Sequence, residues 1–248
     1  MDFAPAGRAP LRALERISLD VHPGEFVAIV GPSGCGKSTL LNLVAGLARP
    51  TAGSIEVDGR PVTGPRKIGY MFQGETLLPW RTVFDNVALG PELTGVPLAR
   101  RRSLVLDLLA QVGLADFGDA LPHELSGGMR KRAQLAAVLA NEPGVVLMDE
   151  PFGALDAQTR AVLEDDLVRL WRGSRKSIVF VTHDLAEAIL LSTRVIIFTA
   201  RPGRIKAEYP ITLPAGDSTL EQRTTAEFHQ YYAKIWADLR DEVGHRLG

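Results

Sequence analysis

The chain alternates apolar runs with stretches of helical character. Four runs, Phe26–Val30, Val145–Met148, Ile178–Val181 and Val195–Phe198, are the strand candidates. Strands alternating with helical segments predict a parallel sheet covered by helices. Two shorter pieces, Ile17-Ser18-Leu19-Asp20-Val21 and Ser54-Ile55-Glu56-Val57 before the Asp58-Gly59 turn, alternate at period two. They predict a small antiparallel sheet flanking the core.

From about Gln73 to Met129 the β pattern stops. Leu104, Leu108, Leu109 and Val112 share one helical face that ends at Gly113, which predicts an inserted helical lobe. After about Pro210 the chain is more polar, and Phe228, Tyr232, Ile235, Trp236 and Leu239 mark an amphipathic helix. The expected organisation is a single α/β domain. Residues 1–73 and 130–210 form the core with its β subdomain, 74–129 the helical subdomain and 211–248 a C-terminal helical extension.

At 248 residues, with 46% hydrophobic and 23% charged residues, the composition is that of a globular chain. A net charge of −1 gives no general electrostatic reason to bind nucleic acid. The first residues lack the apolar core of a signal peptide, and no stretch approaches the ~18 apolar residues of a membrane span. A soluble chain able to sit on a membrane protein is expected. Cys35 is the one cysteine, so no internal disulfide or multi-cysteine zinc site is expected.

Directly after the first strand candidate, residues 31–39 read Gly31-Pro32-Ser33-Gly34-Cys35-Gly36-Lys37-Ser38-Thr39. Glycines at this spacing let successive N–H groups curl toward phosphate oxygens, and the following helix presents its positive end. Lys37 is expected to reach the β- and γ-phosphates of ATP or GTP, and the Ser38 hydroxyl to hold Mg²⁺. Lys37 and the loop N–H groups would also favour a Cys35 thiolate that nucleotide protects; the alternative is a thiol turned inward.

The second strand candidate ends in Asp149 and Glu150. There one carboxylate can orient Mg²⁺ through water while its neighbour acts as general base on the attacking water. Asp149 is assigned to the metal and Glu150 to the water. Leu125-Ser126-Gly127-Gly128-Met129 opens another helical run, either as an ordinary helix cap or as a second anion-binding helix start.

GPSGCGKST, Gln73, LSGGM, VVLMDEP, Ala154-Leu155-Asp156 and Thr182-His183-Asp184 occur in the order seen in ATP-binding-cassette ATPases. The chain resembles that family over nearly its whole length. The resemblance implies a P-loop nucleotide-hydrolase fold and ATP with Mg²⁺. It also implies a head-to-tail homodimer in which Ser126, Gly127 and Gly128 act on ATP held by the other subunit. Gln73 then resembles the loop glutamine that approaches Mg²⁺ and the attacking water, His183 the switch histidine at the γ-phosphate, and Asp156 the aspartate that communicates across the dimer. Phe3 is the candidate for the aromatic that stacks on adenine. Met129 replaces the common glutamine of the signature, and Ala137 stands where arginine is common.

Leu77-Leu78-Pro79-Trp80, the Pro151–Arg160 segment and Arg201-Pro202-Gly203-Arg204-Ile205 resemble the nitrate, sulfonate and taurine import subgroup. That implies an ATPase subunit peripheral to the cytoplasmic face of the membrane, working with permease subunits and, indirectly, an extracytoplasmic solute-binding protein. The Leu77–Trp80 loop is either an exposed docking ledge for the permease or a buried anchor of the helical lobe. Two other classes use the same motifs: a cassette ATPase not linked to transport that acts on nucleic acid, and a non-hydrolysing regulatory module. The single compact chain argues against the first, and intact Glu150 and His183 against the second.

Overall fold

The computed structural model describes residues 1–3, 11–64, 68–153, 155–214, 216 and 218–244. In chain order its elements begin with β1 (Asp2–Phe3), β2 (Leu11–Arg12), β3 (Phe26–Val30), α1 (Lys37–Val44), β4 (Glu56–Val57), β5 (Arg60–Pro61) and β6 (Gly69–Met71). Next come α2 (Val83–Leu93), α3 (Leu98–Gln111), α4 (Gly127–Leu139), β7 (Val145–Asp149), α5 (Ala157–Arg172) and β8 (Ser177–Thr182). The chain continues through α6 (Leu185–Leu191), β9 (Arg194–Phe198), β10 (Ile205–Pro210), α7 (Thr219–Gln222) and α8 (Ala226–Gly244).

The central sheet runs β10-β9-β3-β8-β7-β6, parallel except where β10 pairs antiparallel with β9. Every residue of β3 and β8 is buried, which is why these strands read as unbroken apolar runs. Their side chains still alternate between two layers. Phe26, Ala28, Val30, Phe180 and Met148 face a core that includes Leu163 of α5, Ile189 of α6 and Ile235 of α8. Val27, Ile29, Val181, Leu147 and Phe198 face the other layer, with Leu40, Leu41 and Leu43 of α1. Each fully buried side chain of this size contributes ~1.5–3 kcal/mol of transfer free energy.

Helices α2, α3 and α4 enclose a third cluster that includes Val83, Val87, Leu109 and Ala133. The α3 face ends as expected, with Gly113 at φ 69° beyond Val112. In α8, Phe228, Ile235 and Leu239 are buried while Tyr232 and Trp236 are exposed.

Several strands differ from the sequence expectations. β4 and β5 pair around Asp58-Gly59 as expected, but residues 17–21 form no strand. Their alternation has another origin: Ile17, Leu19 and Val21 pack against the α1 layer while Ser18 and Asp20 face solvent. β6 and β10 extend the sheet at its two ends and were not among the candidates. β6 has only three residues, and β10 is a polar edge strand that ends in proline, a position that suits proline in a sheet.

Candidate active site

Strand register brings the site together. Val30 of β3 pairs with Thr182 of β8, Asp149 of β7 with Val181, and Met71 of β6 with Met148. Four adjacent parallel strands therefore end level, and their next residues are Gly31, His183, Glu150 and, two beyond Met71, Gln73. Crevices outside the carboxyl ends of parallel strands are where α/β folds bind ligands. Here lies a cleft of about 410 Å³ lined by Ser33, Gly34, Lys37, Ser38, Gln73 and Glu150, among others.

The loop from Gly31 to Gly36 turns with Gly34 at φ 75° and Gly36 at φ 108°, a region where glycine carries no Cβ penalty. Gly36 caps α1 without a side-chain hydrogen bond, so the first-turn N–H groups are available to an anion. A Cβ on Gly36 would stand 2.9 Å from the backbone oxygen of Ala13, which cannot swing aside as a side-chain end can. Lys37 is buried, and its Nζ donates to the carbonyl oxygens of Gly31 (2.7 Å) and Pro32 (3.1 Å).

Ser38 Oγ donates to Asp149 Oδ1 at 3.0 Å. Burial pushes the Asp149 carboxyl above the usual range; the Ser38 hydrogen bond opposes this and the charge of Glu150 adds to it. A divalent cation would offset that desolvation. Ser38 and Asp149 are hard oxygen donors suited to Mg²⁺, which keeps waters and substrate oxygens in its shell. No cluster of three or more His, Cys, Asp or Glu side chains able to hold a metal occurs among the described residues. The donor set therefore fits an ion held jointly with phosphate, not a resident metal in a protein cage.

Glu150 is the convergence point. Its Oε2 accepts from Gln73 Nε2 at 3.1 Å and lies 3.1 Å from His183 Nδ1. Its backbone has φ 45°, a left-handed conformation that costs a non-glycine residue ~1–2 kcal/mol. The conformation is pinned by Glu150 N–H donating to Val181 O at 2.8 Å and Gly153 N–H donating to Glu150 O at 3.3 Å. Such strain, held in place by its surroundings, aims the carboxylate across the cleft.

Other predicted residues lie apart from the cleft. Ser126 caps α4, accepting from Met129 N–H at 3.3 Å. Asp156 caps α5, accepting from Gln158 N–H and Thr159 N–H at 3.1 and 3.0 Å. Ser126 and Asp156 are exposed, and a Cβ on Gly127 would touch Leu155 while one on Gly128 would lie 2.4 Å from Thr159 Cγ2. The two helix starts thus form one continuous surface, separate from the cleft in the same chain. The Phe3 side chain and Ala154 lie outside the described residues; the Phe3 backbone pairs with Leu11.

The Cys35 thiol takes the inward alternative. The residue is 1% exposed and belongs to the apolar layer with Leu14 and Phe198. Its backbone serves the loop while its side chain packs beneath it, with Lys37 Nζ 4.0 Å from Sγ.

Sequence reasoning singled out Arg201–Ile205 only for its resemblance to the import subgroup and missed its place at the phosphate loop. Arg201 lines the cleft and donates from Nη2 and Nε to Gly34 O at 2.8 and 3.0 Å. Gly203 lies against the loop, with a would-be Cβ 2.2 Å from Cys35 O. The Arg-Pro-Gly-Arg string at the end of a strand was the available signal, though nothing in it names the partner.

The family described as ABC transporter matches residues 14–153. An uncharacterized ABC transporter ATP-binding protein, MJ0412, of Methanocaldococcus jannaschii is 48% identical over 94% of this chain and 86% of that protein. A taurine import ATP-binding protein, TauB, of Roseobacter denitrificans is 47% identical over 94% of this chain and 90% of its own length. A nitrate import ATP-binding protein, NrtD, of a Synechocystis species is 45% identical over the same shares. Among solved structures, a dimeric post-hydrolysis state of the ATP-binding cassette MJ0796, bound to ADP and Pi, superposes with TM-score 0.74. It is 32% identical over 85% of this chain and 95% of that one. With the phosphate loop, paired acids and signature helix in one such fold, the chain belongs to the ABC transporter family and is an ATP-hydrolysing cassette.

Proposed function

We propose that this chain is the ATPase subunit of an importer for a small anionic or polar solute of the nitrate, sulfonate or taurine kind, working as a homodimer beneath permease subunits. The convergence of Gln73 and His183 on Glu150 at the mouth of the phosphate loop carries the hydrolytic part of this reading. The similarity to import subunits over most of the chain supports the transport part. No helix of the described residues is long and apolar enough to cross a membrane.

In this reading the loop N–H groups of residues 33–39 bind the phosphates, and Lys37 turns from its carbonyl partners to the β- and γ-oxygens. Ser38 and Asp149 would hold Mg²⁺, with Gln73 beside it; the ion supplies neutralisation of charge on the phosphoryl oxygens. Glu150 takes a proton from the attacking water, and Gln73 orders that water. His183 lies beside Glu150 and would contact the γ-phosphate in this reading. The surface formed by Ser126, Gly127, Gly128 and Asp156 closes on nucleotide held by the second copy, which accounts for a second anion-binding helix start outside the cleft. Binding energy realised only in the closed dimer is what can drive a permease between two states. The core, helical and C-terminal portions divide the work accordingly: 1–73 with 130–210 hold nucleotide, 74–129 carries the signature and permease-facing loop, and 211–248 extends the core.

Phosphate release by the purified chain, measured alone, with DNA or RNA, and with candidate permeases in vesicles loaded with solute-binding protein, tests this reading. Stimulation by permease together with solute uptake is expected. Stimulation by nucleic acid without a permease effect would replace it with the non-transport alternative.

A further inference from the structure

We infer that Arg160 is a positioning residue that ties the dimer-facing turn at Asp156 to the loop carrying His183. The inference rests on the proposed roles of those two residues. Arg160 lies in the first turn of α5, where its N–H donates to Asp156 O at 3.0 Å. Its guanidinium reaches both ways. Nη2 donates to Leu155 O at 3.1 Å, within the turn that precedes the cap. Nη1 donates to Asp184 Oδ2 at 3.2 Å and lies 3.6 Å from Glu187 Oε1.

Asp184 directly follows His183 and starts α6. Its Oδ1 accepts from Ala186 N–H at 2.8 Å and Glu187 N–H at 3.3 Å, while Oδ2 takes Arg160. The two carboxylate oxygens therefore serve different partners, one capping the helix behind His183 and the other receiving the strut from α5. Thr182 on the other side of His183 is held as well, its Oγ1 donating to Glu187 Oε2 at 2.6 Å and accepting from Asp184 N–H at 3.0 Å. The His183 backbone is thus fixed on both flanks, and Arg160 connects that fixed segment to the Leu155-Asp156 turn.

The guanidinium is arranged for its two ends and not for its own saturation. Arg160 Nε is buried without a hydrogen-bond partner among the described residues, so the partners of this guanidinium lie at its two Nη ends. Arginine suits such a bridge because its donors diverge from a rigid plane; lysine offers a single ammonium centre. A displacement of the Asp156 turn on dimer closure is passed through Leu155 O and Nη2 to Asp184, and so to the segment that presents His183 to Glu150. This makes hydrolysis in one site conditional on contact made at the dimer face.

Asp184→Asn and Arg160→Lys, each in the full-length chain, test the strut. The asparagine keeps the oxygen that caps α6 and turns a donor toward Arg160. Both variants are expected to melt within a few degrees of wild type and bind ATP within about two-fold, while kcat falls about ten-fold and cooperativity in ATP is lost. The double variant is expected to be no worse than either single one, because both break the same link. Wild-type kcat and cooperativity in a folded Asp184→Asn protein would overturn the strut, as would additive losses in the double variant. His183→Ala is the companion control. Full turnover there would show that the reading of the site itself fails, whereas lost turnover in His183→Ala with normal turnover in Asp184→Asn would remove the strut alone.

Discussion

His183 Nδ1 lies 3.1 Å from Glu150 Oε2, the same oxygen that accepts from Gln73 Nε2. One carboxylate oxygen is thereby held between an imidazole and an amide that arrive from two different strand ends. Replacing Glu150 with Gln keeps the shape and removes the base. Nucleotide affinity is expected to stay close to wild type while phosphate release falls about 10²-fold or more, and ATP should trap a dimer on size-exclusion chromatography. Near-normal phosphate release would show that another group takes the proton.

Trp80 is 74% exposed, so the buried-anchor alternative for its side chain does not apply. The loop is nevertheless fixed at its base, where Leu78 N–H donates to Asn86 Oδ1 at 2.7 Å and Asn86 Nδ2 donates back to Leu78 O at 3.1 Å. Trp80→Ala is expected to change folding stability by no more than ~0.5 kcal/mol. An aromatic anchor at an interface commonly carries ~2 kcal/mol, so permease-stimulated ATPase and transport should drop while the isolated subunit hydrolyses ATP as before. A melting curve paired with ATPase assays with and without permease decides it; equal losses in both assays would end the docking assignment.

Gly203 illustrates how a hairpin far along the chain shapes the phosphate loop. Its N–H donates to Ala13 O at 2.8 Å, and a Cβ there would meet Cys35 O at 2.2 Å. Gly203→Ala must push the loop carbonyl away, an overpacking that costs ~1–3 kcal/mol. Weaker ATP binding in titration calorimetry, with the KM for ATP raised more than kcat is lowered, is the expected signature. Unchanged nucleotide affinity would mean that the loop yields without altering its N–H cradle.

Glu187 is buried in α6, facing Thr182, Asp184, Glu164 and Arg160, and burial pushes its carboxyl from 4.5 up to about 7. Between those two values the folded protein keeps a proton that the unfolded chain has released. Its contribution to stability is therefore complete below about 4.5 and lost as pH rises through about 7. Glu187→Gln should flatten that part of the profile. Urea unfolding at several pH values across the window, for wild type and variant, measures it; an unchanged slope in the variant would assign the dependence to other groups.

The phosphate loop, the paired acids and the signature helix were legible in the residues because each is a local device: a glycine-permitted curl, a strand end, a capped helix start. The central strands were legible too, since burial on both faces leaves unbroken apolar runs such as Phe26–Val30. Strands β6 and β10 were not, because a three-residue edge and a polar antiparallel edge carry no such run. Residues 17–21 misled for a related reason: alternating exposure records a surface to pack on, and a ladder is only one way to provide it. What the tertiary structure alone decided are the relationships between distant segments. The level ending of β3, β8, β7 and β6 follows from non-local register and places Gln73 and His183 on Glu150. The inward turn of Cys35, the hold of Arg201 on Gly34 across 167 residues and the reach of Arg160 to Asp184 follow from packing between elements. Local sequence specifies which backbone a segment can adopt, but which side chain meets which depends on how whole layers settle against one another.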